Sequence, residues 1–435
     1  MPNPLLLFEH ECKAYPWTDA DLTRLERLNL SVGREILRAT ARNGQRAIQA
    51  SQHVGVIRFG QRTIQILPKI YRPTGNTSSE DKTKEVTANL LHLLSYAGTL
   101  PIREHEIAPL LRQTDDWFEV LTRLFATHLR EEWQRGAHRT YQSVHDELPT
   151  LKGKWRIADQ IRFPTRRHLF SVTYDEFTAD NALNRVFRYV VERLWRLTRD
   201  NDNRKLLGEL REWMEDVTVV PSLNLTDASA SLLTRLTERY RPLLNLARLF
   251  LDGSSLQMSA GGVNTFAFLF DMNLLFESFI AGFMKLFAAQ IFPAHFAGYE
   301  FLPQSRGARH YLAWHQERRV FQTIPDIAFR SGNEFPLLID TKYKRLDEKD
   351  RRAGVTPGDF YQMHAYAHRY QCSRVVLLYP EMADSHGPIR TSFRLHDSER
   401  TIAVNSVNIC VDLSRSEDRA NLIAELKQLF PTEAS

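Results

Sequence analysis

Two runs of alternating polar and apolar residues, joined by turn-forming residues, constrain this chain more than any other stretch. They lie in I-P-D-I-A-F-R-S-G-N-E-F-P-L-L-I-D-T-K-Y-K, residues 324–344. The alternation over Ile324 to Arg330 and again over Pro336 to Lys344 has the period of a strand. Ser331-Gly332-Asn333-Glu334 supplies the tight turn between them. The segment predicts an antiparallel hairpin. A turn centred on Asn333 sets Asp326 opposite Asp340, with Cβ atoms about 4.5–5.5 Å apart. Lys342 and Lys344 follow at two-residue steps and share that face, while Ile327, Phe329, Leu337, Ile339 and Tyr343 share the other. Facing carboxylates repel, so this is a poor way to hold a sheet together. A divalent cation turns the same arrangement into a metal site with an ammonium group beside it, chemistry suited to phosphodiester hydrolysis. On this reading Asp326 and Asp340 ligate Mg²⁺, with Mn²⁺ as a substitute, and the Thr341 backbone carbonyl adds a ligand. Lys342 would position the attacking water and stabilise the developing negative charge.

The residues around the hairpin extend the pattern. Thr356-Pro357-Gly358-Asp359 is a helix start, with an N-cap, proline at N1 and an acid at N3. In the helix it predicts, Gln362 and Tyr366 share one face at i, i+4 and could contact a phosphate or hold the lysine. His364 and His368 share another face. With no carboxylate motif nearby they read as surface or packing residues rather than zinc ligands. Upstream, Glu277 interrupts the apolar run D-M-N-L-L-F-E-S-F-I, either as a boundary acid or as one that faces the carboxylates.

Length and composition set the frame. A chain of 435 residues suggests about three domains. We divide it into a β-rich N-terminal domain over 1–78, a mainly helical middle region over 79–255 with a basic β insertion near 140–177, and an α/β domain over 256–435. In the first, a helix starts at Thr18 and short β segments fall at 47–49, 54–59 and 63–67. Residues 72–84 read as an exposed linker. In the third, the apolar run from Asn264 to Gln290 reads as one long helix, followed by the hairpin, the 357–370 helix, the strand R-V-V-L-L-Y, a strand pair and a terminal helix. The expected class is multidomain α/β with helices packed on a mixed sheet. A formal charge of +5 permits an acidic partner without demanding one. Three scattered cysteines, no signal peptide and no run of 18 apolar residues suggest a reducing cytoplasm and no membrane span.

An acid on the leading helix, P-D, D-x-K and then Q-x-x-x-Y together resemble the PD-(D/E)xK nuclease superfamily, and the last motif is shared with RecB-like nucleases. More specifically, the chain resembles the McrC family, the nuclease subunits of McrBC-type modification-dependent restriction systems. The strings that carry this are V-G-V-I-R-F-G-Q-R-T-I-Q-I-L-P-K-I-Y at 54–71, Y-D-E-F-T-A-D-N-A-L-N-R-V-F at 174–187, D-M-N-L-L-F-E-S-F at 271–279 and I-D-T-K-Y-K at 339–344. The resemblance implies a restriction-endonuclease-like C-terminal domain that cuts methylcytosine-containing double-stranded DNA. Asp326, Asp340 and Lys342 match the catalytic positions, and Glu277, Gln362 and Tyr366 the supporting ones. It also implies a partner, a McrB-like GTP-hydrolysing AAA+ ring that the N-terminal part engages and stimulates. The absence of a G-x-x-x-x-G-K-S/T loop agrees, since the chain is then not itself a recognisable NTPase. Lys152 to Arg156 and Arg166-Arg167 are candidates for contact with partner or DNA. The rival expectations are a RecB-like repair or mobile-element nuclease without a GTPase, and a catalytically inactive adaptor.

Overall fold

The computed structural model describes residues 5–431 apart from 33–34, 43, 60–61, 73–79, 101, 103–105, 108, 111–115, 163–167, 224–225, 255–264, 305, 348 and 397. The chain divides into two units, one formed by Met1–Trp117 with Leu256–Ser435 and one by Phe118–Ser255. The chain returns to the first unit at Leu256. The expected break near 78 does not separate units, for a reason found in the sheet described next.

The first unit begins with β1 (Leu5–Phe8), β2 (Cys12–Ala14), α1 (Asp19–Val32), β3 (Leu37–Arg42), β4 (Gln45–Ala50), β5 (His53–Phe59), β6 (Arg62–Leu67) and, after residues 73–79, α2 (Glu80–Tyr96). Thr18 caps α1 as its sequence predicts: its hydroxyl accepts from the Asp21 N–H at 3.2 Å, and the Asp21 carboxylate accepts from the Thr18 N–H at 3.1 Å. Of the stretch read as a linker, residues 73–79 lie outside the described residues. Its last five residues are the start of α2.

The second unit holds nearly all of α3 (Trp117–Gln134), then β7 (Thr140–Leu148), β8 (Lys154–Trp155), α4 (Ile157–Arg162), β9 (Phe170–Thr178), α5 (Ala182–Leu197), α6 (Asn201–Trp213) and α7 (Arg241–Ser254). The expected β insertion is a three-stranded sheet of order β7-β9-β8. In its basic stretch Lys152 lies over the Tyr174 ring, 3.7 Å from its centroid, and Arg156 pairs with Asp159 at 2.5 Å. Arg166 and Arg167 lie outside the described residues.

Back in the first unit, the apolar run expected to form a single helix divides into β10 (Thr265–Asp271), α8 (Met272–Leu286) and the short α9 (Ala288–Ile291). Phe266, Phe268 and Phe270 alternate with smaller residues, a pattern that suits a pleated strand. The Asp271 carboxylate then accepts from the Asn273 N–H at 2.9 Å and starts the helix. β10 pairs antiparallel with β5 and completes a sheet of order β1-β6-β5-β10. Gly55 makes that pairing possible. At φ +143 a Cβ there would sit 1.9 Å from the Phe268 carbonyl oxygen. The N-terminal strands and the C-terminal third therefore share one sheet, which is why position 78 is no boundary.

The site-bearing sheet follows: β11 (Glu300–Pro303), the pair β12 (His310–His315) and β13 (Arg318–Thr323), then β14 (Ile327–Ser331), β15 (Glu334–Thr341), α10 (Pro357–Arg369), β16 (Arg374–Pro380), β17 (Arg390–Arg394), β18 (Thr401–Val407) and α11 (Ser416–Lys427). Its order is β11-β14-β15-β16-β18-β17, with β15, β16 and β18 parallel and the other neighbours antiparallel. This is the expected mixed α/β architecture. Both faces are buried. Ala328, Leu338, Val375 and Val404 pack with Met363, Tyr366 and Tyr370 of α10 and its C-cap. On the other face Phe329 meets the rings of Phe292, Phe296 and Phe430 at 5.0–5.3 Å between centroids. Among the described residues no helix is long and apolar enough to cross a membrane.

Candidate active site

The hairpin forms with the expected register. Ile327, Ala328 and Phe329 face Ile339, Leu338 and Leu337, and Gly332 turns the chain at φ +58. Two details differ from the sequence reading. The register shifts between Phe329 and Ser331, where Phe335 and Pro336 of β15 stand against Arg330 alone. Asp326 lies one residue before β14 and does not pair across the ladder; its backbone carbonyl accepts from the Gln304 N–H at 2.7 Å. One oxygen of its carboxylate, Oδ2, accepts from both the Thr341 N–H and the Thr341 hydroxyl, each at 2.7 Å. Asp326 reaches the end of β15 by leaving the strand, not by facing Asp340 within it. The expectation of a polar hairpin face is also corrected. Ala328 and Leu338, which share parity with Asp340, are fully buried, and the acids gather where the strand ends.

Asp340 is 2% exposed. Burial first, and the Asp326 carboxylate second, push its carboxyl up to about 7, while Lys342 pulls the other way. The Lys342 ammonium pairs with its Oδ2. Burial lowers the affinity of Lys342 for its proton, but the Asp340 and Asp326 carboxylates outweigh this and hold it above the ordinary lysine value. From α8, Glu277 reaches Asp326. Burial and that neighbouring charge raise its carboxyl to about 7, and a hydrogen bond from Gln304 opposes the rise. Glu277 is thus a third acid of the cluster rather than a boundary residue.

The α10 pair does something other than hold the lysine. Gln362 Nε2 donates to the Tyr366 hydroxyl at 3.0 Å, and that hydroxyl donates to the Ile324 carbonyl at 3.1 Å. The pair fixes the two-residue approach to Asp326. Lys344, expected beside Asp340, instead binds both Asp359 oxygens at 2.7 and 2.9 Å. It ties the chain after β15 to the first turn of α10. His364 and His368 stack on one another at 4.5 Å, and Arg400 contacts His368 Nδ1 at 3.1 Å, in keeping with a packing role.

Two groups of residues escaped the sequence reading. Gln304, at φ +47, anchors Asp326 through its backbone and Glu277 through its side chain. Its only sequence signal was a polar residue after the strand F-L-P. The second group comes from the N-terminal segment. The buried Glu9 carboxylate accepts from the Tyr343 hydroxyl and the Lys69 N–H, both at 2.9 Å, and Lys69 Nζ donates to the Tyr343 carbonyl at 3.1 Å. Tyr343 separates Lys342 from Lys344, so the N-terminal strands grip the chain within the D-T-K-Y-K run.

Glu277 and Asp340, each raised by burial and by the Asp326 charge, with one ammonium against Asp340, suit an added dication better than a cation-free state. Among the described residues no three His, Cys, Asp or Glu side chains already converge as a ligand group. Asp326 Oδ2 is occupied by Thr341. Mg²⁺ commonly takes only one or two carboxylates and keeps several waters, so an all-oxygen set built on Asp326 and Asp340 fits it.

The chain resembles known proteins over most of its length. The family model described as McrBC 5-methylcytosine restriction system component matches residues 48–380. A chain from a half-complex of a tetradecameric assembly, Thermococcus gammatolerans McrB AAA+ hexamers with bound McrC, is 25% identical. It superposes with a TM-score of 0.72, covering 98% of this chain and 100% of that one. A chain of the Thermococcus gammatolerans McrBC complex determined by cryo-EM is 28% identical at a TM-score of 0.52, covering 67% of this chain and 89% of that one. No curated protein matches the sequence.

Proposed function

This chain belongs to the family of McrBC 5-methylcytosine restriction system components, and from that premise we propose that it is the DNA-cutting subunit, a Mg²⁺-dependent endodeoxyribonuclease. It acts with a GTP-hydrolysing AAA+ ring, whose hydrolysis it stimulates, on methylcytosine-containing duplex DNA. The observation that carries the reading is the buried Asp340–Lys342 pair at the end of β15, with Asp326 and Glu277 drawn against it. The partner is supported by likeness, over nearly the whole chain, to a structure of McrB AAA+ hexamers with bound McrC.

Asp326, Asp340 and the Thr341 carbonyl would hold the metal, which when bound supplies charge neutralisation at the scissile phosphate and a water of lowered pKa. The remaining work falls to the chain. Asp340 orients the Lys342 ammonium, which hydrogen-bonds the attacking water and meets the charge that develops on the phosphate oxygens. Thr341 fixes one oxygen of Asp326, so the carboxylate would meet the metal in a held orientation. Gln362 and Tyr366 hold the approach to Asp326 through the Ile324 carbonyl. Glu277 is the second acid that can take up or release a proton beside Asp326.

A cleavage assay with methylated duplex, Mg²⁺, GTP and the partner ring tests the proposal. Asp340→Ala and Lys342→Ala should each abolish cutting while leaving GTP hydrolysis by the assembled complex intact. Cutting by both variants at the wild-type rate would refute the assignment of this centre.

A further inference from the structure

The β12–β13 ribbon is the feature of this unit that the proposed chemistry does not use. It stands immediately before Ile324-Pro325-Asp326 in the chain, and it is antiparallel, with Trp314 opposite Arg319 and His315 opposite Arg318. Gln316 and Glu317, at φ +46 and +64, form its two-residue turn. Its apolar side chains are exposed: Trp314 by 67%, Phe321 by 72% and Leu312 by 48%. The Arg319 guanidinium lies 5.2 Å from the Trp314 ring centroid. Phe321 takes a left-handed backbone conformation at φ +56, strained for an aromatic residue. The root of the ribbon, by contrast, is fixed. Arg369 Nε donates to the Tyr311 carbonyl at 2.7 Å, and the Tyr370 hydroxyl donates to the Thr323 carbonyl at 2.9 Å.

We propose that this ribbon grips the duplex being cut, lying in its major groove with Trp314 and Phe321 against the bases and Arg318 and Arg319 toward the phosphates. The inference rests on the nuclease reading of the Asp340–Lys342 centre. Three observations select DNA as the occupant. A two-stranded ribbon is an element the major groove admits. Aromatic rings interleaved with arginines provide base contact and phosphate neutralisation together, and Arg318 and Arg319 outnumber the one acid of the ribbon, Glu317. Distance is the third. Arg319 is seven residues from Asp326 in sequence, so the two are at most about 23 Å apart at a strand's rise. That span is about seven base pairs of duplex. The ribbon is therefore within one helical turn of a duplex whose scissile phosphate sits at Asp326 and Asp340.

The test uses the full chain and two double variants, Trp314→Ala/Phe321→Ala and Arg318→Ala/Arg319→Ala. All four positions are exposed, so thermal denaturation should stay at the wild-type midpoint. Affinity for an unmodified 30-base-pair duplex is read by fluorescence anisotropy over a salt series, with the chain alone and Ca²⁺ in place of Mg²⁺. Cleavage and GTP hydrolysis are then read with the partner ring. The aromatic variant should bind about 10-fold more weakly and cut 10- to 100-fold more slowly. The arginine variant should lower the salt slope by about 1–2. Both should stimulate GTP hydrolysis as wild type does. Wild-type affinity and slope in both variants, or no duplex binding by the wild-type chain, would overturn the proposal. So would a change of oligomeric state or GTP stimulation with duplex binding unaltered, which would make the ribbon a protein-docking element. Binding does not depend on turnover, so if the wild type fails to cut but the variants lose affinity, the nuclease reading falls and the ribbon's contact with DNA stands.

Discussion

Two consecutive antiparallel hairpins in this chain have opposite surroundings. β12–β13 exposes an aromatic face and two arginines, and hydrogen bonds from Arg369 and Tyr370 hold its root. β14–β15 is covered on both sides, by α10 on one and by the Phe292, Phe296 and Phe430 cluster on the other. Three residues, Ile324, Pro325 and Asp326, separate them. Burial decides what each hairpin can do. A carboxylate at the end of the covered hairpin is driven toward its proton and toward any cation, as burial does to Asp340. Aromatic rings on the open hairpin are costly in water until something covers them. On the two proposals above, one hairpin serves chemistry and the other contact.

The largest difference between them should appear on removing one side chain from each. Lys342→Ala should lower the cleavage rate by at least 1,000-fold, of order 4 kcal/mol of lost transition-state stabilisation. Lys342→Arg should not restore it, because a planar guanidinium does not replace a compact ammonium packed on one carboxylate. Trp314→Ala alone should cost about 10-fold. Equal losses in single-turnover assays would erase the distinction between chemistry and contact.

Stability should separate the hairpins in the opposite direction. Burial and the Asp326 charge raise Asp340 to about 7, so between about pH 4 and 7 the folded state keeps a proton that the unfolded chain has lost. Stability is therefore lost as pH rises through that window. Asp340→Asn removes the charge, so in EDTA its stability, read from thermal midpoints, should exceed that of wild type by about 1–3 kcal/mol at pH 8 and by much less at pH 5. Added Mg²⁺ should raise the wild type and not the variant. Trp314→Ala should change none of these midpoints. A wild type more stable than Asp340→Asn at pH 8 without metal would mean that the acids do not strain the fold.

Cleavage should depend on pH through the same groups. Asp340 and Glu277 both hold protons up to about 7, and a cation must displace them. At fixed, subsaturating Mg²⁺ the rate should rise about 10-fold or more from pH 6 to 8, and saturating Mg²⁺ should move the midpoint lower. Glu277→Gln should also move it lower, since Asp340 then faces one fewer acid. Duplex binding in Ca²⁺ through the ribbon should change far less over that range, because Arg318 and Arg319 remain charged throughout. A flat rate profile would exclude these acids from the rate-limiting protonic equilibrium.

What could be read from the sequence follows from what is local. The turn at Gly332-Asn333 and the two-residue alternation set the hairpin register without outside help. The cap at Thr356 and the i, i+4 spacing similarly fixed the helix bearing Gln362 and Tyr366. The departure of Asp326 from the ladder was not legible, because it depends on Gln304 and Thr341 competing for its atoms. Nor was β10. Its run of alternating phenylalanines joins the apolar helix without a break in hydropathy, and only the edge of β5, made accessible by Gly55, selects the strand. The grip on Tyr343 spans 334 residues to Glu9 and 274 to Lys69, beyond the reach of any periodicity.

That grip supplies the smallest effect and the finest test of the comparison. Tyr343 packs on Phe276 of α8 with its hydroxyl on Glu9, and Lys69 holds its carbonyl. The position of Lys342 is therefore set from the N-terminal strands as well as from β15. Tyr343→Phe removes one hydrogen bond and keeps the ring. The cleavage rate should fall about 3- to 10-fold, with the Mg²⁺ requirement and duplex affinity unchanged. Glu9→Gln keeps an acceptor for the Tyr343 hydroxyl and removes a carboxyl that burial has raised to about 7. It should cost less than Tyr343→Phe, and the two together no more than the larger alone, since they cut the same link. Additive losses would mean that Glu9 and Tyr343 act on the lysine separately, and the N-terminal strands would then be a neighbour of the reactive hairpin and not part of its support.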